Sequence, residues 1–341
     1  MARLGSEKAG NENTGRDRTE NPWGGSVKSG GVAAMESDHP HGKAPSSVVL
    51  DSSRKLLERS GEVGLTVGQS LHRAVLSGGN RTRRIADFLH GTWLGHPLHP
   101  VLTDATIGAW TYGAIFDGIG AITRDRNTQK MADRLTAIGT VTAIPTALAG
   151  MTDYSTLPKS ASKTATSHAL LNSASLALYG LSLLERRRGR RRSGLALSAA
   201  ALGATMFSAW LGGHMVYRER VGVDHGERFT EPREWTGVLG ADELALGKSK
   251  RVEVDGKSVM LYRDERQVYA IGAVCSHAGG PLEEGTIREC FVQCPWHDSV
   301  FDMRDGTIKH GPATSPQTAF DVRIRDGRIE LRLDREPVSG D

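Results

Sequence analysis

Two cysteines and two histidines near the carboxyl end are the residues of this chain best suited to chemistry. They form a C-x-H pair, Cys275 with His277, and a C-x-x-H pair, Cys294 with His297, separated by sixteen residues. Thiolate sulfur and imidazole nitrogen are common ligands of zinc and of iron in proteins. The residue types and their spacing therefore predict a metal centre held between two short loops.

Two kinds of centre use this ligand set, a Cys2His2 zinc site and an iron–sulfur cluster with mixed ligands. Zinc ligands usually come as a C-x-x-C pair followed by a histidine pair on a helix. Here each arm carries one Cys and one His, and the flanks contain Gly279, Gly280 and Pro281 in one arm and Pro295 in the other. Two similar loops that grip a cluster from both sides favour the iron–sulfur centre, and zinc remains the alternative.

With these two loops, residues 233–334 resemble the Rieske family, in particular its ferredoxin-type branch. The segment 311–316, Gly-Pro-Ala-Thr-Ser-Pro, is similar to the proline loop that covers the cluster in that family. The resemblance implies a [2Fe–2S] cluster in which Cys275 and Cys294 bind one iron and His277 and His297 the other. It also implies one-electron transfer with a redox partner, which would be a reductase or oxygenase component, or a quinone.

Several positions depart from the high-potential members of the family. Those members carry one extra Cys in each loop, joined as a disulfide, where this chain has Gly280 and Trp296. The third cysteine, Cys290, lies outside both loops, and we expect it to be a buried strand residue. Ser299 matches the hydrogen-bonding Ser of the family, whereas Phe301 replaces a Tyr that donates to a ligand sulfur. The missing disulfide suits a reducing compartment, and the missing donor predicts a potential in the lower part of the Rieske range.

The sequence around the loops is typical of short β-strands. Apolar-rich runs at 251–254, 258–262 and 267–271 are separated by turn signals, and Asp-Gly pairs recur at 255–256, 305–306 and 326–327. The runs at 320–324 and 328–333 predict a closing hairpin. This pattern predicts a small antiparallel β-sandwich or barrel that carries the two cluster-binding loops.

A different composition precedes this region. Four apolar segments at about 101–122, 135–152, 168–184 and 194–217 approach the ~17–25 residues that cross a bilayer. Their Ala, Gly, Ser and Thr residues suit close helix packing in membranes. The motifs at 89–100 and 212–217 give residues 85–225 a resemblance to a bacterial four-helix membrane domain with no established function.

We therefore expect a multidomain protein in which a four-helix α-helical membrane bundle is followed by an all-β Rieske domain. Before the bundle, the polar residues 1–45 predict a disordered tail, and residues 46–84 predict a helical or linker segment. Residues 335–341 form a second tail.

A second group of polar residues lies at the helix ends that must share one membrane face. Ionisable side chains within membrane spans are costly and tend to mark function. We consider b-type haem, a quinone or proton site, and a polar network that only ties the helix ends together. The candidates are His96, His99, Asp104, Asp153, His168, Asn172 and His214.

The four apolar segments, with the resemblance to a bacterial membrane domain, indicate a multi-pass protein of the bacterial inner membrane. The charge pattern does not settle its orientation. Near the helix ends, ten Lys and Arg residues on one side oppose nine on the other. The missing disulfide and a hydrophilic amino-terminal segment favour the cytoplasm for the Rieske domain. The net charge of +4 includes an Arg run at 186–192 that suits contact with the lipid bilayer rather than nucleic acid.

The sequence favours an electron carrier or an oxidoreductase component over a self-contained enzyme. It contains no G-x-G-x-x-G fingerprint between a strand and a helix, and no length is left for a mononuclear iron domain. A non-redox regulator that uses the cluster as a sensor is a third hypothesis.

Overall fold

The structure, a computed structural model, describes residues 45–333, with side chains from residue 58 onward. The two predicted tails, 1–45 and 335–341, lie outside this range except for residue 45. The described part begins with six α-helices. They are α1 (Pro45–Ser77), α2 (Gly79–His90), α3 (Leu98–Thr123), α4 (Arg126–Tyr154), α5 (Ser162–Arg187) and α6 (Arg191–Tyr217).

Helices α3–α6 contain the four predicted apolar segments and pack as two pairs, α3 along α4 and α5 along α6. Trp110 stacks on Tyr179 between the pairs, with ring centroids 4.0 Å apart, next to the buried Ala143 and Ala201. Small and hydroxyl-bearing residues fill much of the interior, because they let helix backbones approach closely.

Many large apolar side chains of α3–α6 point outward instead. Ile122 is 85% exposed and Val141 65% exposed, and Leu170, Phe207 and Trp210 are also exposed. By length and composition, α4 and α6 are long and apolar enough to cross a membrane, among the helices that the structure describes. Small residues inside and large apolar residues outside reverse the usual arrangement of a water-soluble domain.

Arginines from α5 and α6 neutralise two aspartates at one end of these helices. Arg186 donates hydrogen bonds to Asp117, to Asp133 at 2.7 Å and to Ser198 at 2.8 Å. Arg191 pairs with the same two aspartates. The side chains of Arg186 and Asp117 are 3% and 8% exposed. We call this group the arginine cluster, and it joins α3, α4, α5 and α6 into one unit.

Ten β-strands follow in the described chain and form three antiparallel sheets, ordered β1-β10-β9, β2-β3-β4 and β5-β6-β7-β8. The strands are β1 (Thr236–Gly240), β2 (Ser249–Val254), β3 (Lys257–Arg263), β4 (Val268–Gly272), β5 (Thr286–Arg288), β6 (Phe291–Gln293), β7 (Val300–Asp302), β8 (Ile308–His310), β9 (Asp321–Arg325) and β10 (Arg328–Arg332).

Asp-Gly turns close two of the hairpins. Asp255 and Gly256 join β2 to β3 with φ angles of 50° and 70°, and Asp326 and Gly327 join β9 to β10 with φ angles of 49° and 72°. Two residues with positive φ are what a type I′ turn requires, and Asp-Gly adopts it readily. The predicted closing hairpin is therefore present as β9 and β10, paired from Arg325 with Arg328 onward.

Cys290 is not the buried strand residue that the sequence suggested. It lies with Glu289 in the turn between β5 and β6 and is only partly buried. The register pairs Arg288 with Phe291, so two residues are left to make the turn. Glu289 adopts a positive φ of 55° there. Local turn geometry therefore excludes Cys290 from the ladder despite its apolar side chain.

The β region has two hydrophobic cores. One contains Phe229, Leu261 and Ile329, and it links the sheets β1-β10-β9 and β2-β3-β4. The other contains Met260, Leu282, Phe301 and both loop cysteines. The two loops that contain Cys275 and Cys294 therefore begin in a packed core, which fixes the positions of their first residues.

Candidate metal centre

The two predicted ligand loops share one backbone hydrogen-bond pattern. Each cysteine donates its N–H to the carbonyl five residues later and accepts from the N–H four residues later. Such a closed turn holds the intervening residues in one conformation and exposes their side chains on one side. The bonds are Cys275 N to Gly280 O (2.8 Å), Gly279 N to Cys275 O (2.8 Å), Cys294 N to Ser299 O (2.8 Å) and Asp298 N to Cys294 O (3.2 Å).

Equivalent positions of the two turns adopt the left-handed conformation. Gly279 has a φ of 81° and Asp298 a φ of 64°. Gly adopts this region without a steric penalty, and Asp tolerates it better than most residues. The residue types at both positions therefore fit the turn, which explains part of the similarity between the loops.

These turns bring the four predicted ligands together. Cys275 and Cys294 are 1% and 2% exposed, and their thiols are hydrogen-bonded to each other. The rings of His277 and His297 meet edge to face with centroids 5.0 Å apart, and both residues are partly buried. Two thiols in contact and two imidazoles in contact suit one metal with sulfur ligands and one with nitrogen ligands.

Burial and mutual contact set the protonation of the ligands. The hydrogen bond from Cys275 lowers the pKa of the Cys294 thiol to about 7, whereas the same bond raises the pKa of Cys275 well above its usual value. Burial lowers the pKa of His297 to about 4 and holds that of His277 well below its usual value. Both imidazoles are therefore neutral near pH 7 and able to bind a metal, while two thiolates together require its positive charge.

The site has the properties that a two-iron cluster requires. His297 Nδ1 is buried and has no hydrogen-bond partner. A buried polar atom left unpaired costs about 1–3 kcal/mol, and a bond to iron would satisfy it. The two adjacent imidazoles and the two adjacent thiols fit a cluster with mixed sulfur and nitrogen ligands.

Two serine hydroxyls hold the segment 311–316 against the ligand loops. Ser299 Oγ accepts the N–H of Ala313 at 3.0 Å, and Ser276 Oγ donates to the carbonyl of Ser315 at 2.6 Å. These bonds tie the segment 311–316 to both ligand loops. Phe301 is fully buried in the same core.

Gly280 gives a sharp test of this packing. A Cβ at Gly280 would lie 2.7 Å from Cys294 Sγ and 3.1 Å from the Trp296 ring, too close for either neighbour to stay in place. We expect Gly280→Ala to lose most of the bound iron, because the displaced thiol no longer meets the metal. Iron per chain, measured in anaerobically purified protein, checks this. Gly203→Ala in α6, where a Cβ meets nothing within 4 Å, serves as the control; equal iron in both variants would contradict the expectation.

The second group of predicted site residues is only partly brought together. His99 and His168 meet edge to face with ring centroids 6.3 Å apart. His99 Nδ1 donates to the Thr146 carbonyl at 2.9 Å and His168 Nδ1 to the Ser208 carbonyl at 2.8 Å. Asn172 contacts the remaining nitrogen of His168. A backbone carbonyl on one ring nitrogen is also the usual arrangement of a metal-binding histidine.

The other members of that group lie apart from this histidine pair. Asp153 Oδ1 accepts from His90 Nδ1 at 2.8 Å. His214 lies 3.8 Å from Glu219. His96 and Asp104 are exposed.

Sequence reasoning missed His90, which is 5% exposed. The sequence could have indicated His90 by its position, because it is the last residue of the amphipathic helix α2. It also missed the contacts of α1 and α2 with the β region.

Known protein families match the helical region and the β region of this chain separately. Residues 95–225 match a family described as predicted membrane protein (DUF2231), and residues 234–323 match the Rieske [2Fe-2S] domain. The chain is similar to the ferredoxin subunit of anthranilate 1,2-dioxygenase from Burkholderia cepacia, at 29% identity over 29% of this chain and 93% of that subunit.

One larger protein and one solved structure are also similar to part of this chain. Human apoptosis-inducing factor 3 is 27% identical over 37% of this chain, which spans only 21% of that protein's length. The solved ferredoxin of carbazole 1,9a-dioxygenase from Nocardioides aromaticivorans is 34% identical over 29% of this chain and 96% of its own, with a TM-score of 0.28.

The Rieske domain implies a [2Fe–2S] cluster, and its ferredoxin relatives act as components of dioxygenase systems. The chain thus contains a domain of the predicted membrane family DUF2231, followed by a Rieske [2Fe–2S] domain that is similar to ferredoxin subunits of dioxygenase systems.

Proposed function

We propose that this protein is a membrane-anchored electron carrier whose [2Fe–2S] cluster is held by Cys275 and Cys294 on one iron and by His277 and His297 on the other. The observation that carries the proposal is the pair of matching turns that bring two thiols and two neutral imidazoles together around the buried, unpartnered Nδ1 of His297. The cluster supplies one-electron oxidation and reduction at nearly constant geometry. The protein's part is to hold the ligands, keep the imidazoles neutral and limit water.

The partners of such a carrier are a donor and an acceptor protein. The relatives named as ferredoxin subunits or components of dioxygenase systems support a reductase as donor and an oxygenase component as acceptor. A quinone is the alternative partner. With Phe301 in place of a hydroxyl donor, the cluster has a potential in the lower part of the Rieske range.

The proposed anchor is the domain at 85–225, in which α3–α6 each cross the bilayer and make the protein a multi-pass membrane protein. The outward Ile, Val, Leu and Phe side chains and the small residues between the helices support four spans. The Rieske domain, about 233–334, lies on the cytoplasmic side in this proposal. Gly280 and Trp296, which stand where high-potential members carry a disulfide, support a reducing compartment.

A second candidate function follows from the contact of His99 with His168. Because both rings donate Nδ1–H to a backbone carbonyl, Nε2 of each is the nitrogen that would face a ligand. In His168 that nitrogen accepts from Asn172 Nδ2 at 3.0 Å, and a ligand would replace this contact. In this alternative, the protein is a membrane oxidoreductase that holds haem b or a quinone there. His96 and His214 then have no direct part.

A reduced-minus-oxidised optical spectrum of the full chain in detergent distinguishes the two functions. The carrier proposal expects a broad iron–sulfur bleach alone. A sharp haem α-band in addition, lost in His168→Ala and kept in His96→Ala, would favour the oxidoreductase. Absence of any iron–sulfur change in protein purified without oxygen would reject the carrier proposal.

A further inference from the structure

Helices α1 and α2 contact the cluster end of the β domain through Asp298, the residue that follows the proposed ligand His297. His72 Nε2 on α1 donates to Asp298 Oδ2 at 2.8 Å. Arg83 on α2 donates to the Asp298 carbonyl at 3.2 Å. The other carboxylate oxygen of Asp298 accepts from Gln293 within its own domain. The second ligand loop is therefore bound from both sides.

In a second contact between α2 and the β domain, the helix supplies the acceptor instead of the donor. Asp87 on α2 accepts from His310 Nδ1 at 2.8 Å and from the Gly311 N–H at 2.9 Å. The Asp87 and His310 side chains are 18% and 22% exposed, so both are largely shielded from water. A Cβ at Gly311 would lie 2.9 Å from Thr92 Cγ2, which shows how closely the Thr92 side chain packs against the backbone of Gly311.

Together the two contacts form an interface with hydrogen-bond donors and acceptors on both sides. The helices donate to Asp298 from a histidine and an arginine, and the carboxylate of Asp87 accepts from a histidine of the β domain. Matched polar groups of this kind fix the register of two surfaces more than they add affinity. Helices α1 and α2 thus bind the β domain in one specific orientation.

Two further histidines, His90 and His225, lie next to the segments that surround the proposed ligands. His90 is buried behind the interface and donates to Asp153 Oδ1 at 2.8 Å. The N–H of His225, in the segment that follows α6, donates to the Ser276 carbonyl in the first ligand loop at 2.8 Å. Because Asp298 follows His297 and is bound by His72 and Arg83, the histidine side of the centre lies next to the chain's own helices.

We infer that α1 and α2 are a built-in docking partner for the cluster end of the Rieske domain, and that an external redox protein must displace them to reach the cluster. The inference rests on the proposed function, because it concerns access to that cluster. The competition involves large partners only, since a small reductant needs no matching surface.

The test uses the full chain in lipid nanodiscs and the substitution Asp87→Ala, which removes both acceptors at once. Hydrogen–deuterium exchange is measured over residues 84–92 and 308–313, and reduction is timed with dithionite and with a protein-sized ferredoxin reductase. We expect faster exchange in both segments. We also expect about tenfold faster reduction by the reductase, the factor that corresponds to 1.4 kcal/mol, at an unchanged dithionite rate.

His72→Ala is the second variant and is expected to shift the same readouts in the same direction. The control is Glu330→Gln, which breaks the Arg323–Glu330 pair in the sheet that lacks the ligand loops. The inference is overturned if both variants show the same exchange as the control and the same ratio of the reductase rate to the dithionite rate. Slower reduction of the variants by the reductase would also overturn it. If the wild type itself shows no cluster spectrum, the proposed function fails, and the exchange measurement still decides on docking.

Discussion

Replacing Cys294 by serine is expected to abolish the iron–sulfur chromophore and reduce bound iron to the background level. Cys294 is 2% exposed and in contact with the Cys275 thiol, so no water or neighbouring side chain can take its place as a ligand. A serine hydroxyl is a harder and much less acidic ligand than a thiol, and it does not ionise near pH 7. The visible spectrum and the iron and sulfide content of anaerobically purified protein measure the loss.

Cys290→Ser is the matched control for that prediction. Cys290 is the third cysteine of the chain, lies in the β5–β6 turn and is partly buried. It is expected to keep the full chromophore. Loss of the chromophore in Cys290→Ser with its retention in Cys294→Ser would contradict the proposed ligand set.

Replacing Arg186 by methionine is expected to destabilise the helical domain by about 3 kcal/mol, at the lower end of the range for breaking a buried ion pair. The substitution keeps most of the side-chain volume and removes the charge. Asp117, 8% exposed, and Asp133 then lose their main partner. Arg191, 28% exposed, still neutralises part of their charge, which limits the loss. Thermal unfolding of the full chain in detergent measures the effect.

Arg188→Met provides the comparison on the same helix end. Arg188 pairs with Glu185 at 3.2 Å, but its side chain is 52% exposed. Exposed pairs contribute about 0–1 kcal/mol, so little change is expected. Equal melting temperatures for the two variants would show that the arginine cluster does not hold the four helices together.

The parts of the fold that the sequence predicts are those governed by local chemistry. Asp255-Gly256 and Asp326-Gly327 indicate hairpins because a two-residue turn with two positive φ angles accepts few other pairs. The four apolar segments each lie within one helix. Cys290 was assigned wrongly, because a turn is defined by the pairing of its flanking strands, which no single residue type reveals.

The candidate centre was predictable for a different reason, since two short motifs contain all four proposed ligands. The contacts between domains were not predictable. His72 lies 226 residues from Asp298, and Asp87 lies 223 residues from His310. Each of these residues is unremarkable in its own segment, and only the three-dimensional packing of α1 and α2 against the loops pairs them.

Electron paramagnetic resonance of the dithionite-reduced full chain, with resolution of nitrogen couplings, tests the central claim most directly. The proposal predicts one unpaired electron per chain, shared over two irons and coupled to two imidazole nitrogens, with the nitrogen couplings lost in His297→Ala. A reduced cluster without nitrogen couplings would contradict the ligand set. An anaerobically purified protein with stoichiometric zinc and no signal would contradict the assignment of the centre.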